Sequence, residues 1–295
     1  MFRTIWSLVT LEGLRRPRPE VAVLRLTGTI GGFGPLRSGM SLASVEPLIE
    51  RAFAQKRLKA VALVINSPGG SPAQSALIAK RIRDLAVEKE IPVLAFCEDV
   101  AASGGYWLAC AGDEIFVQPT SIVGSIGVIT AGFGFTGLMD KAGVERRLYT
   151  AGERKSMLDP FRPEDPDDVA RIKALQAELH GVFKDMVRDR RGHRLKAAED
   201  VLFSGEFWAG GKAVELGLAD SVGELRQVLR DRFGKRVRLR RIQGPKRLLR
   251  RLGLGRGRAD SGAALWAGGF PSPEDWAAGV LAAVEERALW SRFGL

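Results

Sequence analysis

The sequence predicts an α/β protein with a mainly parallel sheet and flanking helices. Lys59–Ile65 and Pro92–Phe96 are near-continuous apolar runs, as in strands buried on both faces of a parallel sheet. They alternate with amphipathic helical stretches at roughly 10–20-residue intervals, the signature of βαβ units. Glycine-rich turns follow the strands, at Gly28–Gly34, Gly69–Gly70 and Gly104–Gly105. With 295 residues the chain can bury a sizeable core, and 45% hydrophobic with 27% charged residues excludes a disordered or fibrous protein.

Each element has its own warrant. Val21–Leu26 is a β-branched and apolar strand, and Ala43–Phe53 has helical apolar spacing. The strand Lys59–Ile65 runs into Asn66-Ser-Pro-Gly-Gly70, after which Leu77, Ile78, Ile82, Leu85 and Ala86 mark one face of a helix. Pro92–Phe96 leads to a short helix over Ala102–Ala111, opened by Ser103, and Glu114–Val117 is the next strand. A helix around Leu138–Ala142 and a strand at Arg147–Thr150 are expected next. Pro163–Arg191 is the longest helix, with Asp165 or Asp168 at its start and Pro166 in its first turn. Its stripe is Val169, Ile172, Leu175, Leu179, Val182 and Met186, and Arg188, Arg190 and Arg191 complement the dipole at its end. Gly205–Gly217 reads as a further short helix, and an apolar helical segment resumes at Pro271–Trp290.

The ends differ from the body. Met1–Leu11 has Phe2, Ile5, Trp6 and Val9 at helical spacing, which fits an amphipathic surface helix or a packed terminal helix. No run of 18 apolar residues occurs, so no membrane-spanning helix is expected. Residues 231–260 hold twelve Lys and Arg against two acids, which accounts for nearly all of the net charge of +11. That segment reads as solvated or as a contact for anionic surfaces; it lacks interleaved aromatics, so specific nucleic-acid binding is not expected. The expected organisation is an N-terminal helix and linker over 1–20, a main α/β domain over 21–230, the basic segment 231–260 and a helical end over 261–295. Cys97 and Cys110 read as reduced packing residues; with His180 and His193 they show no ligand-like spacing, so neither metal nor cofactor is expected.

Ser103 is the sharpest chemical candidate, standing where a buried strand gives way to a helix between alanines and glycines. Small neighbours admit a strained turn, and a helix N-terminus offers free amides and partial positive charge to an oxyanion. An N-cap serine would use the same residues. Gly69 and Gly70 expose backbone amides in the same way, or form an ordinary strand-to-helix turn. A base for Ser103 is less evident. His180 falls on the long helix and His193 in a basic turn that disfavours imidazolium. Lys155 follows an expected strand, yet on its residues alone it reads as a solvated loop lysine.

Four segments in order change that balance: Ile65-Asn-Ser-Pro-Gly-Gly70, Ala101-Ala-Ser-Gly-Gly-Tyr-Trp107, Gly124-Ser-Ile-Gly-Val128, and Gly152 to Lys155 followed by Pro160-Phe-Arg162. From Val21 to Val228 the chain resembles the signal-peptide peptidase A family (SppA/SohB-like) of serine peptidases, in its single-domain form. The resemblance implies the fold shared with Clp protease and the crotonases. It implies Ser103 as nucleophile, Lys155 as general base without histidine, and Ser125 as a hydroxyl orienting the lysine. Backbone amides of Gly70 and Gly104 would hold the oxyanion. Hydrophobic peptides, signal-peptide remnants among them, are the implied substrates. A ring-shaped homo-oligomer with the dyad shared between neighbouring subunits is the implied assembly. The chain departs from the family's usual N-terminal anchor, so a cytoplasmic or peripherally membrane-associated enzyme is expected. Rivals are a crotonase-like acyl-thioester hydratase or isomerase, which would favour glutamates where Ser103 and Lys155 stand, and a non-catalytic ring-forming binding protein.

Overall fold

The apolar runs assemble into an eight-stranded sheet. The computed structural model describes residues 18–31, 39–152, 154–243, 284 and 287–295. Its strands are β1 (Glu20–Thr27), β2 (Leu58–Ser67), β3 (Val93–Ala102), β4 (Glu114–Val117), β5 (Ile122–Gly124), β6 (Phe207–Ala209), β7 (Ser221–Val222) and β8 (Arg238–Arg241). Its helices are α1 (Leu42–Phe53), α2 (Pro72–Glu88), α3 (Gly104–Ala109), α4 (Thr136–Ala142), α5 (Pro166–Arg191), α6 (Glu199–Leu202), α7 (Gly210–Glu215) and α8 (Leu225–Phe233). The strand order is β6–β5–β3–β2–β1–β8, with β4 bridging β3 and β7 off that path. Every pairing is parallel except β5 with β6. The expected helix over Met1–Leu11 and the basic residues 244–260 lie outside the described residues.

Burial on both faces explains the unbroken apolar runs. On one face α1 and α2 press Ile49, Phe53, Ile78 and Ile82 onto Leu24, Leu26, Leu63 and Ile65. On the other, Val21, Ala62, Leu94, Phe96 and Phe116 pack beneath Leu229 of α8. Each fully buried Leu or Ile in these layers contributes about 1.5–3 kcal/mol. The strand β3 forks: Leu94–Phe96 pair with β4, whereas Val100–Ala102 pair with β5. That fork carries the end of β3 to the sheet edge where the glycine-rich turns gather.

Several expectations need correction. Residues 147–150 form no strand, and Tyr149 is 90% exposed; without a neighbouring strand, β-propensity alone makes no ladder. The long helix starts at Pro166, capped by Asp165, whose carboxylate accepts the Asp167 N–H at 2.9 Å. Its expected stripe is only partly its packed face: Met186 packs on the core and Val169 and Ile172 are half-buried, but Leu175, Leu179 and Val182 are exposed, and the fully buried residues are Phe183, Val187 and Arg191. Only its last turns reach the buried core, while its first turn meets the preceding stretch, where Asp168 accepts the Leu158 N–H at 3.1 Å. Arg191, expected to complement the dipole at the helix end, is buried and donates to the Gly217 carbonyl and to Asp220. Leu77 is exposed although its neighbours on α2 are buried. The basic segment is in part structural, because β8 adds to the sheet beside β1. In Gly205–Gly217, the strand β6 precedes the helix α7. Near the C-terminus residues 287–291 are helical, and Phe293 packs on Val100 and Ala102 and edge-on to Phe207.

Candidate active site

Ser103 sits in a strained turn between β3 and α3. Its backbone has φ +52 and ψ −123, a region that non-glycine residues leave unless surrounding contacts enforce it. Those contacts are visible. The Ser103 N–H donates to the Gly124 carbonyl at 2.8 Å, and the Trp107 N–H donates to the Ser103 carbonyl at 3.0 Å. The Ser103 hydroxyl makes no capping bond to α3, so the plain N-cap reading is not realised. A side chain that the backbone holds in place and the helix does not use is free for other chemistry.

Gly69 lies directly against this turn, and Gly70 follows it against Ile30. A Cβ on Gly69 would come within 2.8 Å of both Ser103 Cβ and the Gly104 nitrogen, and Gly69 has φ +102. A Cβ on Gly70 would meet the Ile30 carbonyl at 2.0 Å. Glycine is therefore required by close approach as well as by φ. Ile30 pins the loop by donating to the Gly69 carbonyl and accepting from the Ser71 N–H, both at 2.8 Å. Among the described residues the Gly70 N–H makes no hydrogen bond, and the Gly104 N–H opens α3 without an intrahelical acceptor. Two amides without acceptors among the described residues, one opening the helix after Ser103 and one following Gly69, are the kind of donors an oxyanion site uses.

Ser125 follows Gly124 and is 5% exposed, with φ +53 and its N–H donating to the Glu206 carbonyl at 2.6 Å. The antiparallel strand β6 pairs Gly124 with Phe207 and so holds this corner. His180, on α5, brings Nε2 within 3.1 Å of the Ile126 carbonyl, a structural contact to the same loop. The chain therefore brings together Ser103, Ser125, Gly70 and Gly104. It does not bring Lys155 to them: Lys155 is exposed, its N–H donates locally to the Gly152 carbonyl at 3.2 Å, and among the described residues no hydrogen bond joins it to Ser103 or Ser125.

Lys155 belongs to a projecting stretch, residues 129–165, in which Ile129, Phe133, Leu138 and Tyr149 are all exposed. Phe135 stacks on Phe161 at 5.5 Å, and Arg146 lies over Phe161, so the stretch is organised by its own contacts. The thiols offer no rival nucleophile. Burial pushes Cys97 up to about 12 and Cys110 up to about 11, which keeps both protonated. Sequence reasoning overlooked Asp99 and the side chain of Asn66, which hydrogen-bond each other across β2 and β3 at 2.6 Å. The only sequence signal was Asn66 opening the Pro-Gly-Gly turn, which reads as ordinary turn chemistry.

Comparison with known proteins adds to this geometry. The profile of peptidase family S49 matches residues 86–235, just over half of the chain. Over 95% of its length the chain is 51% identical to the Na(+)/H(+) antiporter NhaA of Brucella abortus, and it covers 38% of that protein. It is 33% identical over 76% of its length to the chloroplastic serine protease SPPA of Arabidopsis thaliana, covering 33% of it. It is 28% identical over 71% of its length to protease 4 of Haemophilus influenzae, covering 34% of it. The chain thus spans only 33% to 38% of the length of these curated relatives. Among the described residues no helix is long and apolar enough to cross a membrane. A lysine-to-alanine mutant of the 1510-N membrane-bound stomatin-specific protease, solved with a substrate peptide, has a similar fold. Its TM-score is 0.50 at 15% identity, over 79% of this chain and 95% of that one.

Proposed function

The chain belongs to peptidase family S49, and from that premise we propose that it is a serine endopeptidase whose nucleophile is Ser103 and whose general base is Lys155. The observation that carries this reading is the strained Ser103 turn, whose hydroxyl caps no helix and which packs against Gly69, next to the Gly70 and Gly104 amides that have no acceptor among the described residues. In the proposed reaction neutral Lys155 takes the Ser103 proton as Oγ attacks the peptide carbonyl. The two amides stabilise the tetrahedral oxyanion. The lysine then protonates the leaving amine, and water activated by the same lysine releases the acyl group.

Lysine can do this only as the free amine, which requires burial or neighbouring dipoles to disfavour its charge. An exposed Lys155 lacks that environment within one chain. We therefore place the working dyad at a contact between copies of this chain, where the apolar residues around 129–165 are covered and Lys155 approaches Ser103 and Ser125. Exposed apolar side chains in such number on one projecting stretch favour an interface. The substrates proposed are apolar peptides, bound in extended form along the Gly69–Gly70 edge.

The test is hydrolysis of a fluorogenic peptide panel from pH 6 to 10 by wild type, Ser103→Ala and Lys155→Ala, with assembly size measured in parallel. Both variants should lose about 10³-fold or more in kcat with assembly intact. Undiminished activity in Ser103→Ala would end the peptidase reading, and turnover of acyl thioesters instead would favour a hydratase-like enzyme.

A further inference from the structure

We infer that Asn66, with Asp99, is a positioning residue that sets where Ser103 stands. The inference rests on the reading of Ser103 as nucleophile. Its basis is an irregularity in the sheet immediately before both candidate catalytic turns.

Along β2 and β3, Ile65 faces Cys97 and Ser67 faces Ala101. Between these pairs β3 therefore carries two more residues than β2. A bulge of this kind breaks the ladder, bends the strand and re-aims the residues beyond it. Because the excess is even, Cys97 and Ala101 keep the same face of the sheet, and both belong to the core under α1 and α2. The strand leaves the bulge to pair Ala102 with Gly124 and to deliver Ser103.

A bulge leaves ladder groups unpaired, and here one side chain replaces them. The Asn66 Oδ1 accepts the Val100 N–H at 3.2 Å, standing in for a backbone carbonyl. Its Nδ2 donates to Asp99 Oδ2 at 2.6 Å. The backbone carbonyl of Asn66 accepts the Gly28 N–H at 3.0 Å, so the residue is fixed from the β1 side as well. Glu98, the other acidic residue of the bulge, pairs with Arg25 on β1. Asn66 thus ties the strand that ends in Ser103 to the strand that ends in Gly69 and Gly70. Its carboxamide satisfies both bonds at once, which a carboxylate opposite Asp99 cannot do.

The polarity of this tie makes it testable by exchange. Asn66→Asp keeps an acceptor for the Val100 N–H but sets a carboxylate against Asp99. In Asn66→Asp/Asp99→Asn the donor and acceptor change places and both bonds return. Asn66→Leu removes both.

The assay is peptide hydrolysis by the full chain, read as kcat and KM separately, together with the rate at which a fluorophosphonate probe labels Ser103. Ångström-scale displacement of a reacting atom costs on the order of 100-fold, so Asn66→Leu should lose about that much in kcat with KM little changed. Asn66→Asp should lose about tenfold, and the exchanged pair should recover to within about threefold of wild type. Wild-type kcat in Asn66→Leu, or an exchanged pair no better than Asn66→Asp, overturns the inference. Should Asn66→Leu fail to fold, the other two variants decide. Full labelling and hydrolysis in Ser103→Ala would overturn the nucleophile reading, and this inference with it, whereas wild-type behaviour of the Asn66 variants would overturn this inference alone.

Discussion

The turn bearing Ser103 and the stretch bearing Lys155 are built on opposite terms. Ser103 is enclosed by Gly69, Gly104, Gly124 and the ends of β3 and β5, so closely that a Cβ on Gly69 would come within 2.8 Å of it. Lys155 stands in solvent on residues 129–165, where Phe133 is 81% and Tyr149 90% exposed. One half of the proposed dyad is held in place within the chain, and the other half has, among the described residues, neither a bond to the serine nor a buried setting. A nucleophile needs precise placement, which a sheet edge can supply alone. A lysine base needs desolvation, which an exposed stretch must obtain from another surface.

The strongest way to break this comparison is to mix the two inactive variants. Ser103→Ala and Lys155→Ala, co-assembled in equal amounts, should regain about a quarter of wild-type activity, because a head-to-tail assembly makes some interfaces that carry both intact residues. No recovery from mixed assemblies would mean that each chain completes its own dyad.

A second test concerns the rigidity of the body. The Arg191 guanidinium is buried beneath α3 and bonds Asp220 at 2.8 and 3.1 Å, and Asp220 also accepts the Ile115 N–H at 2.6 Å. Asp220→Ala leaves that guanidinium uncompensated and should cost about 3–5 kcal/mol in chemical denaturation. Burial works to raise the Asp220 carboxyl, but the bonds from Arg191 and Ile115 outweigh it and hold the group below the usual carboxylate range. A depressed folded value stabilises above the unfolded pKa and is lost as pH falls through the folded one. Wild type should therefore shed this contribution progressively below about pH 4, the ordinary aspartate value, and Asp220→Ala should show a flatter acid limb. An equally steep limb in the variant would assign the acid sensitivity elsewhere.

The smallest effect sharpens the comparison from the other side. Tyr149→Ser, at a position 90% exposed, should change the unfolding free energy of the dissociated chain by less than about 0.5 kcal/mol. The same change should weaken assembly in sedimentation. A larger loss in the dissociated chain would show that the stretch packs on its own body.

How much of this was legible in the sequence depended on whether a residue's role is local. Lys59–Ile65 announced a doubly buried strand because a parallel sheet leaves no polar face, and the observed strand contains that run. Gly69 and Gly70 were recognisable as a turn that allows positive φ and exposes amides, but the close approach that excludes any Cβ emerged only in the fold. The Leu175, Leu179 and Val182 stripe was legible as a pattern, but periodicity cannot say which face of α5 meets the core. Arg191 looked like a helix-end charge, since the Gly217 carbonyl and Asp220 that bury it are more than twenty residues away in sequence.

By itself the sequence determined the alternation of strands and helices, the glycine-lined turns at the sheet edge and the candidacy of Ser103. All of these follow from local sterics and from side-chain patterning at periods of 2 and 3.6. Only the tertiary structure decided that Ser103 occupies a strained, uncapped turn. It also decided that β3 bulges opposite Asn66, that β8 draws basic residues into the sheet, and that Lys155 stands apart from the serine. These features depend on which distant segments meet, and a register shift or a buried ion pair exists only once both partners are in place.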